Sequence, residues 1–93
     1  MSDPRQERIV ARIRAIPEGF VQTYGDIDPS APRLVGHVLA TYERDDLPWY
    51  RVVRADGSVA KGRRQVTLLR REGVPFRRGK VDLRRARLPR ELL

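Results

Sequence analysis

Cysteine is absent from this 93-residue chain, and histidine and tryptophan occur once each. The lack of Cys excludes a disulfide framework and a thiolate nucleophile, and one His cannot complete a Cys/His zinc cluster. Sulfur-based chemistry is therefore excluded, and neither a metal nor a cofactor is expected. Long hydrophobic runs are missing too. None approaches the roughly 20 apolar residues of a membrane-spanning helix, and Met1 to Pro4 does not open a signal peptide. The chain reads as a cytoplasmic protein, nucleoid-associated in a prokaryote, with no membrane partner. Its length predicts one domain, residues 1–93, around a small core.

Acidic residues are scarce in one half only. Residues 1–50 hold six basic and eight acidic side chains, whereas residues 51–93 hold fourteen basic and four acidic, a net of +10. Polycations of this kind meet polyanions, because each neutralised phosphate releases counterions and the field steers encounter. Nucleic acid is the leading partner, ahead of an anionic membrane surface or an acidic protein.

The pattern of what is present predicts mostly helix. Ser2-Asp3-Pro4 is a helix start, and Ile9, Ile13 and Ile16 form an apolar stripe that ends near Pro17, with Arg8, Arg12 and Arg14 off it. Thr23 is placed to cap a brief helix over Tyr24 to Ile27, and Asp28-Pro29-Ser30 turns into a further helix over Ala31 to Glu43. That helix has an apolar arc of Leu34, Val35, Val38, Leu39 and Tyr42. Its other face, Arg33, Gly36, His37 and Ala40, is small with one cation. Gly36 costs an exposed helix interior roughly 1 kcal/mol relative to Ala, so close approach of another backbone is a reason to look for. Two helices around a short turn make a helix-turn-helix candidate, an ordinary surface helix in a three-helix bundle being the other reading.

Farther on, Asp56-Gly57 between Arg51 to Arg54 and Ser58 to Ala60 predicts a two-stranded wing. Lys61 to Arg64 reads as a basic loop, and Gln65 to Glu72 as a helix with Val66, Leu68 and Leu69 inward, stopped by Gly73. Short strands are expected near Phe76 and Val81 around Arg78-Gly79, within a basic C-terminal tail at 77–93. The fold class is mainly α: a winged helix-turn-helix with three helices and a small β wing.

Six motifs in register carry a resemblance. Ile16-Pro17-Glu18-Gly19, Val21 to Asp26, Pro32 to Gly36, Pro48 to Val53, Asp56-Gly57 and Leu68 to Gly73 resemble the C-terminal domain of the O6-alkylguanine-DNA alkyltransferases and, more closely, the alkyltransferase-like proteins. The resemblance spans residues 8–83. Where the active enzymes carry Pro-Cys-His-Arg, this chain has Pro48-Trp49-Tyr50-Arg51. An indole offers no nucleophile for alkyl transfer, so no transferase activity is expected. In that family a His and a Glu activate the Cys; the matching positions are Tyr50 and Glu72, and Glu72 is expected to orient Tyr50 or Arg51.

The resemblance implies recognition without chemistry: a base-flipping protein that binds O6-alkylguanine in duplex DNA through the minor groove and flags it for nucleotide excision repair proteins, acting as a monomer. Arg33 matches the arginine finger that fills the gap in the duplex, and Tyr24 the tyrosine that promotes nucleotide rotation. Gly36 and Ala40 lie where the helix nears the sugar-phosphate walls, with His37 beside a phosphate. The implied lesion pocket comprises Tyr24, Trp49, Tyr50, Arg51, Val52, Lys61 and Arg63, with the choice among Lys61, Arg63 and Arg64 for the base contact left open. Leu34 replaces an Ala of the active enzymes, and Tyr42 their hinge Asn. A sequence-specific winged helix-turn-helix regulator is the alternative. It requires base-reading side chains that Arg33, Gly36, His37 and Ala40 scarcely supply.

Overall fold

The computed structural model describes residues 3–41 and 46–89. Met1, Ser2, Tyr42, residues 43–45 and residues 90–93 lie outside them. Helix α1 (Pro4–Arg14) starts at Asp3, whose carboxylate accepts the Arg5 N–H at 2.9 Å, with Pro4 in a first-turn position that needs no donor. Ile9, Val10, Ile13 and Ile16 are buried, as their spacing predicts.

Strand β1 (Gln22–Thr23) leads straight into α2 (Tyr24–Ile27). Thr23 closes a reciprocal capping box: its hydroxyl accepts the Asp26 N–H at 3.1 Å, and Asp26 accepts the Thr23 N–H at 3.0 Å. Arg5 clamps the next turn through Asp28 at 3.0 Å and Ser30 at 2.6 Å. Helix α3 (Pro32–Thr41) follows, seated on α1 and α2 through buried Val35 and Val38. Arg33, His37 and Ala40 are left exposed.

A 3-10 turn over Trp49–Arg51 runs into β2 (Val52–Val53), which pairs parallel with β1 in the register Gln22 to Val52 and Thr23 to Val53. Here the sequence reading is corrected. Ser58 to Ala60 form no strand, and Asp56-Gly57 makes a tight turn without a wing: the Gly57 N–H donates to Arg54 O at 2.8 Å, and the Arg54 N–H to Ser58 O at 2.9 Å. The reason lies in burial. Val52 and Val53 are both buried, Val52 with the α1–α3 core and Val53 in a second cluster with Val21, Leu69, Val74, Val81 and Ala86. A strand covered on both faces is a buried strand, not a half-solvated wing.

Helix α4 (Gly62–Arg71) begins three residues earlier than predicted, so Arg63 and Arg64 belong to its first turn and not to a loop. Gln65 accounts for the shift. Its side-chain oxygen accepts the Lys61 N–H at 3.1 Å, closing the turn from within. Gln65 and Leu69 are the buried residues of α4, while Val66 and Leu68 are half-buried.

The wing is the later hairpin, β3 (Phe76–Arg77) with β4 (Lys80–Val81). Arg78 and Gly79 both take positive φ, 53° and 81°, the backbone of a two-residue hairpin turn that follows strand twist. Residues 77–89, read as tail, are folded against the body: α5 (Leu83–Ala86) buries Ala86, and Leu88 is buried beyond it. The Val21 N–H donates to Ala86 O and the Leu88 N–H to Val21 O, each at 2.9 Å. The molecule is thus a mainly helical, winged helix-turn-helix fold.

Gly57 welds the tight turn to the wing, since its carbonyl accepts the Val81 N–H at 2.9 Å. An alanine there would set its methyl 2.4 Å from Val81 O at a φ of +86°. Gly57→Ala is expected to lower unfolding free energy by roughly 2–4 kcal/mol. Gly73→Ala, at φ +79° with nothing within 4 Å of the new carbon, should cost only about 1 kcal/mol. Urea titration of both variants makes the comparison; equal losses would remove the steric account of Gly57.

Candidate nucleic-acid interface

Tyr24 opens α2, and its ring is the nearest neighbour of Gly36 on α3: a Cβ built at Gly36 would sit 3.9 Å from Tyr24 Cε1. That is ordinary contact distance, so nothing inside the fold requires glycine there. The small strip of α3 is available to something outside the protein. The hydroxyl of Tyr24 is held above its ordinary pKa by burial, against the pull of Arg54.

On its other side Tyr24 walls a cleft of about 300 Å³, facing Trp49, with Leu39 and Val52 as apolar lining and Lys61, Arg64 and Gln65 contributed by the start of α4. Trp49 stands edge-on to Tyr50 at 5.7 Å between centroids and 89° between planes, and the Arg64 guanidinium carbon lies 5.9 Å from the indole centroid. That position is within cation–π range.

Of the residues assigned to the pocket from sequence, the structure brings together Tyr24, Trp49, Val52 and Lys61. It corrects three. Tyr50 and Arg51 do not line the cleft; they turn away to Glu72. Successive side chains of a 3-10 turn leave about 120° apart, so Trp49 and Arg51 cannot share a wall. Arg63 is replaced by Arg64, because Lys61, Arg64 and Gln65 stand at i, i+3 and i+4 and so share a helix face. Reading α4 as starting at Gln65 hid that spacing. Leu39 and Gln65 were missed. Gln65 is 1% exposed, and its amide nitrogen donates to Tyr50 O at 3.0 Å and Val52 O at 2.8 Å, fixing the segment that carries Trp49. A glutamine four residues before Leu69 on the buried stripe was the available signal.

Behind Trp49, Glu72 does orient Tyr50 and Arg51, as expected. Tyr50 donates its hydroxyl to Glu72 Oε2 at 2.7 Å, Arg51 donates through Nε at 2.9 Å and Nη2 at 2.5 Å, and the Gly19 N–H donates at 3.3 Å. Arg51 Nη1 reaches Ile16 O at 2.8 Å. Burial pushes the Glu72 carboxyl up, but Arg51, Tyr50 and Gly19 together hold it below its ordinary value. Burial and then Glu72 raise the Tyr50 hydroxyl.

Several basic residues of the second half are structural. Arg87 pairs with Asp26 at 2.5 Å and Lys80 with Asp56 at 3.1 Å, while Arg70 lies over the Phe76 ring at 4.7 Å. Arg63, Arg77, Arg78, Arg84 and Arg85 are exposed and form no ion pair among the described residues.

The family model of the 6-O-methylguanine DNA methyltransferase DNA-binding domain matches residues 4–74. The chain is 40% identical to the DNA base-flipping protein of Escherichia coli K12, covering 91% of this chain and 74% of that one. It is 39% identical to the DNA base-flipping protein of Vibrio parahaemolyticus, over 84% and 89% of the two chains. A bifunctional methyltransferase/endonuclease of Picrophilus torridus is 34% identical, but the match spans 28% of its length. Among solved structures, S. pombe Atl1 in complex with damaged DNA containing O6-carboxymethylguanine superimposes with a TM-score of 0.81 and 27% identity, over 96% of this chain and 99% of that one.

The Glu72 carboxylate contributes stability that is present above its ordinary pKa of 4.5 and lost as pH falls toward its lower folded value. Glu72→Gln is expected to cost about 2–3 kcal/mol at pH 7 and to flatten the decline in stability below pH 4.5. Denaturant midpoints measured from pH 7 down to pH 3 test this; a variant whose acid limb parallels the parent's would contradict it.

Proposed function

Because the chain belongs to the family of the 6-O-methylguanine DNA methyltransferase DNA-binding domain, we propose that it is a non-enzymatic DNA base-flipping protein. It recognises O6-alkylguanine through the minor groove and receives the damaged base in the Trp49 cleft. The observation that carries this reading is the double position of Tyr24, against Gly36 of α3 on one side and lining the cleft on the other. A nucleotide rotated past α3 enters directly beside Trp49.

Each part has a physical task. The small strip at Gly36 and Ala40 lets α3 approach the sugar-phosphate walls, with His37 next to them. Arg33, exposed in the first turn of α3, fills the vacated space with a planar guanidinium that stacks and hydrogen-bonds to the unpaired base. Trp49 stacks on the flipped base. The relatives named as base-flipping proteins and the damaged-DNA complex of S. pombe Atl1 support the assignment.

No alkyl group moves. The chain has no cysteine, an indole is no substitute for a thiolate, and Tyr50 and Glu72 are committed to each other and to Arg51. A lesion held but not repaired has to be passed on, and nucleotide excision repair proteins are the proposed recipients, with this protein acting as a cytoplasmic or nucleoid-bound monomer.

Titrating the protein against one duplex with and without a single O6-methylguanine, at two salt concentrations, separates pocket affinity from phosphate attraction. Tighter lesion binding at both salts is expected, and equal affinities would sink the reading. Trp49→Ala should weaken lesion binding by roughly tenfold or more, since aromatic stacking contributes about 1–3 kcal/mol per base. Arg33→Ala should weaken it more than Arg84→Ala does. Labelled O6-methylguanine DNA should pass no label to the protein.

A further inference from the structure

The mouth of the Trp49 cleft carries two cations and, among the described residues, no carboxylate. Lys61 stands just before α4 and Arg64 one turn on, so both lie on the helix face that meets the cleft. Neither belongs to an ion pair among the described residues, whereas Arg5, Arg51, Lys80 and Arg87 each face a carboxylate. Arg64 is poised over the Trp49 ring at 5.9 Å. The neighbouring polar group is already spent: the Gln65 amide donates to two carbonyls and its oxygen accepts the Lys61 N–H. The charge offered to an entering base is therefore that of Lys61 and Arg64.

A methyl or other alkyl group on O6 uses neither cation and needs only the apolar walls, Leu39 and Val52. A substituent ending in a carboxylate carries the charge that both cations complement. Charge-assisted hydrogen bonds to ammonium and guanidinium are stronger than neutral ones.

We propose that Lys61 and Arg64 make this protein select guanines whose O6 substituent is anionic, carboxymethyl being the simplest, over neutral substituents of the same size. The selectivity rests on the base-flipping reading and deepens it. The rival use of the two cations is contact with the DNA backbone, which is blind to the adduct because every duplex presents the same phosphates.

The full chain is titrated at pH 7 against three duplexes of one sequence, carrying guanine, O6-carboxymethylguanine or its neutral isostere O6-carbamoylmethylguanine. Both lesions should bind more tightly than guanine, and the carboxymethyl adduct about fivefold more tightly than the isostere. The double variant Lys61→Gln/Arg64→Gln should bring that ratio close to one, while Arg64→Lys, which keeps the charge, should retain a preference. A ratio of one in the parent protein overturns the selectivity and leaves base flipping standing. So does a double variant that binds both lesions more weakly with the ratio unchanged, since the cations then serve the backbone. If neither lesion is bound more tightly than guanine, base flipping itself falls, and the selectivity with it.

Discussion

Glu72 is the tie between segments that sequence keeps far apart. Its carboxylate accepts from Gly19 in the turn after α1 and from Tyr50 and Arg51 in the 3-10 turn, while Arg51 also reaches Ile16 O at the end of the first helical segment. The Arg51 and Glu72 side chains are only 15% and 8% exposed. A pair so little hydrated gains modest net stability, because desolvation offsets most of the attraction, but mispairing it is costly. Its effect is directional. With residues 50 and 51 drawn to Glu72, the turn presents Trp49 to the cleft.

Gln65 performs the matching task from the opposite side. It bonds the carbonyls of Tyr50 and Val52 and the amide of Lys61, so the Trp49 turn, β2 and the start of α4 move as one piece. The β1–β2 pair then joins this piece to α2, because Thr23 both pairs with Val53 and caps the helix that Tyr24 begins. Tyr24 and Trp49, 25 positions apart in the chain, are positioned through a few backbone links rather than by a large core.

Much of the framework was legible in the chain. Ile9, Ile13 and Ile16 at helical spacing marked α1, Thr23 marked the cap of α2, and Arg78-Gly79 marked the hairpin turn. The four-residue motif at Pro48 to Arg51 showed that the cysteine of the resembling alkyltransferases is missing here. Other features were misread for definite reasons. Asp56-Gly57 has the chemistry of a hairpin turn, but Val52-Val53 lacks the alternation of a half-exposed strand and was taken by β1. The basic excess of the second half could be counted but not sorted: Lys80 and Arg87 are ion-paired with Asp56 and Asp26, distinctions that composition cannot make.

Sequence by itself determined α1, α3, the caps of α1 and α2 and the absence of a cysteine, because these follow from residue type and from neighbours within a turn or two. Only the tertiary structure decided which side chains share the cleft. That choice depended on a parallel pairing between residues 22 and 52, on a carboxylate at 72 reached from positions 19, 50 and 51, and on the first turn of α4. Contacts across such separations leave no periodic trace in the chain. They turned Tyr50 and Arg51 away from the site, exchanged Arg63 for Arg64, and set Leu39 and Gln65 against Trp49.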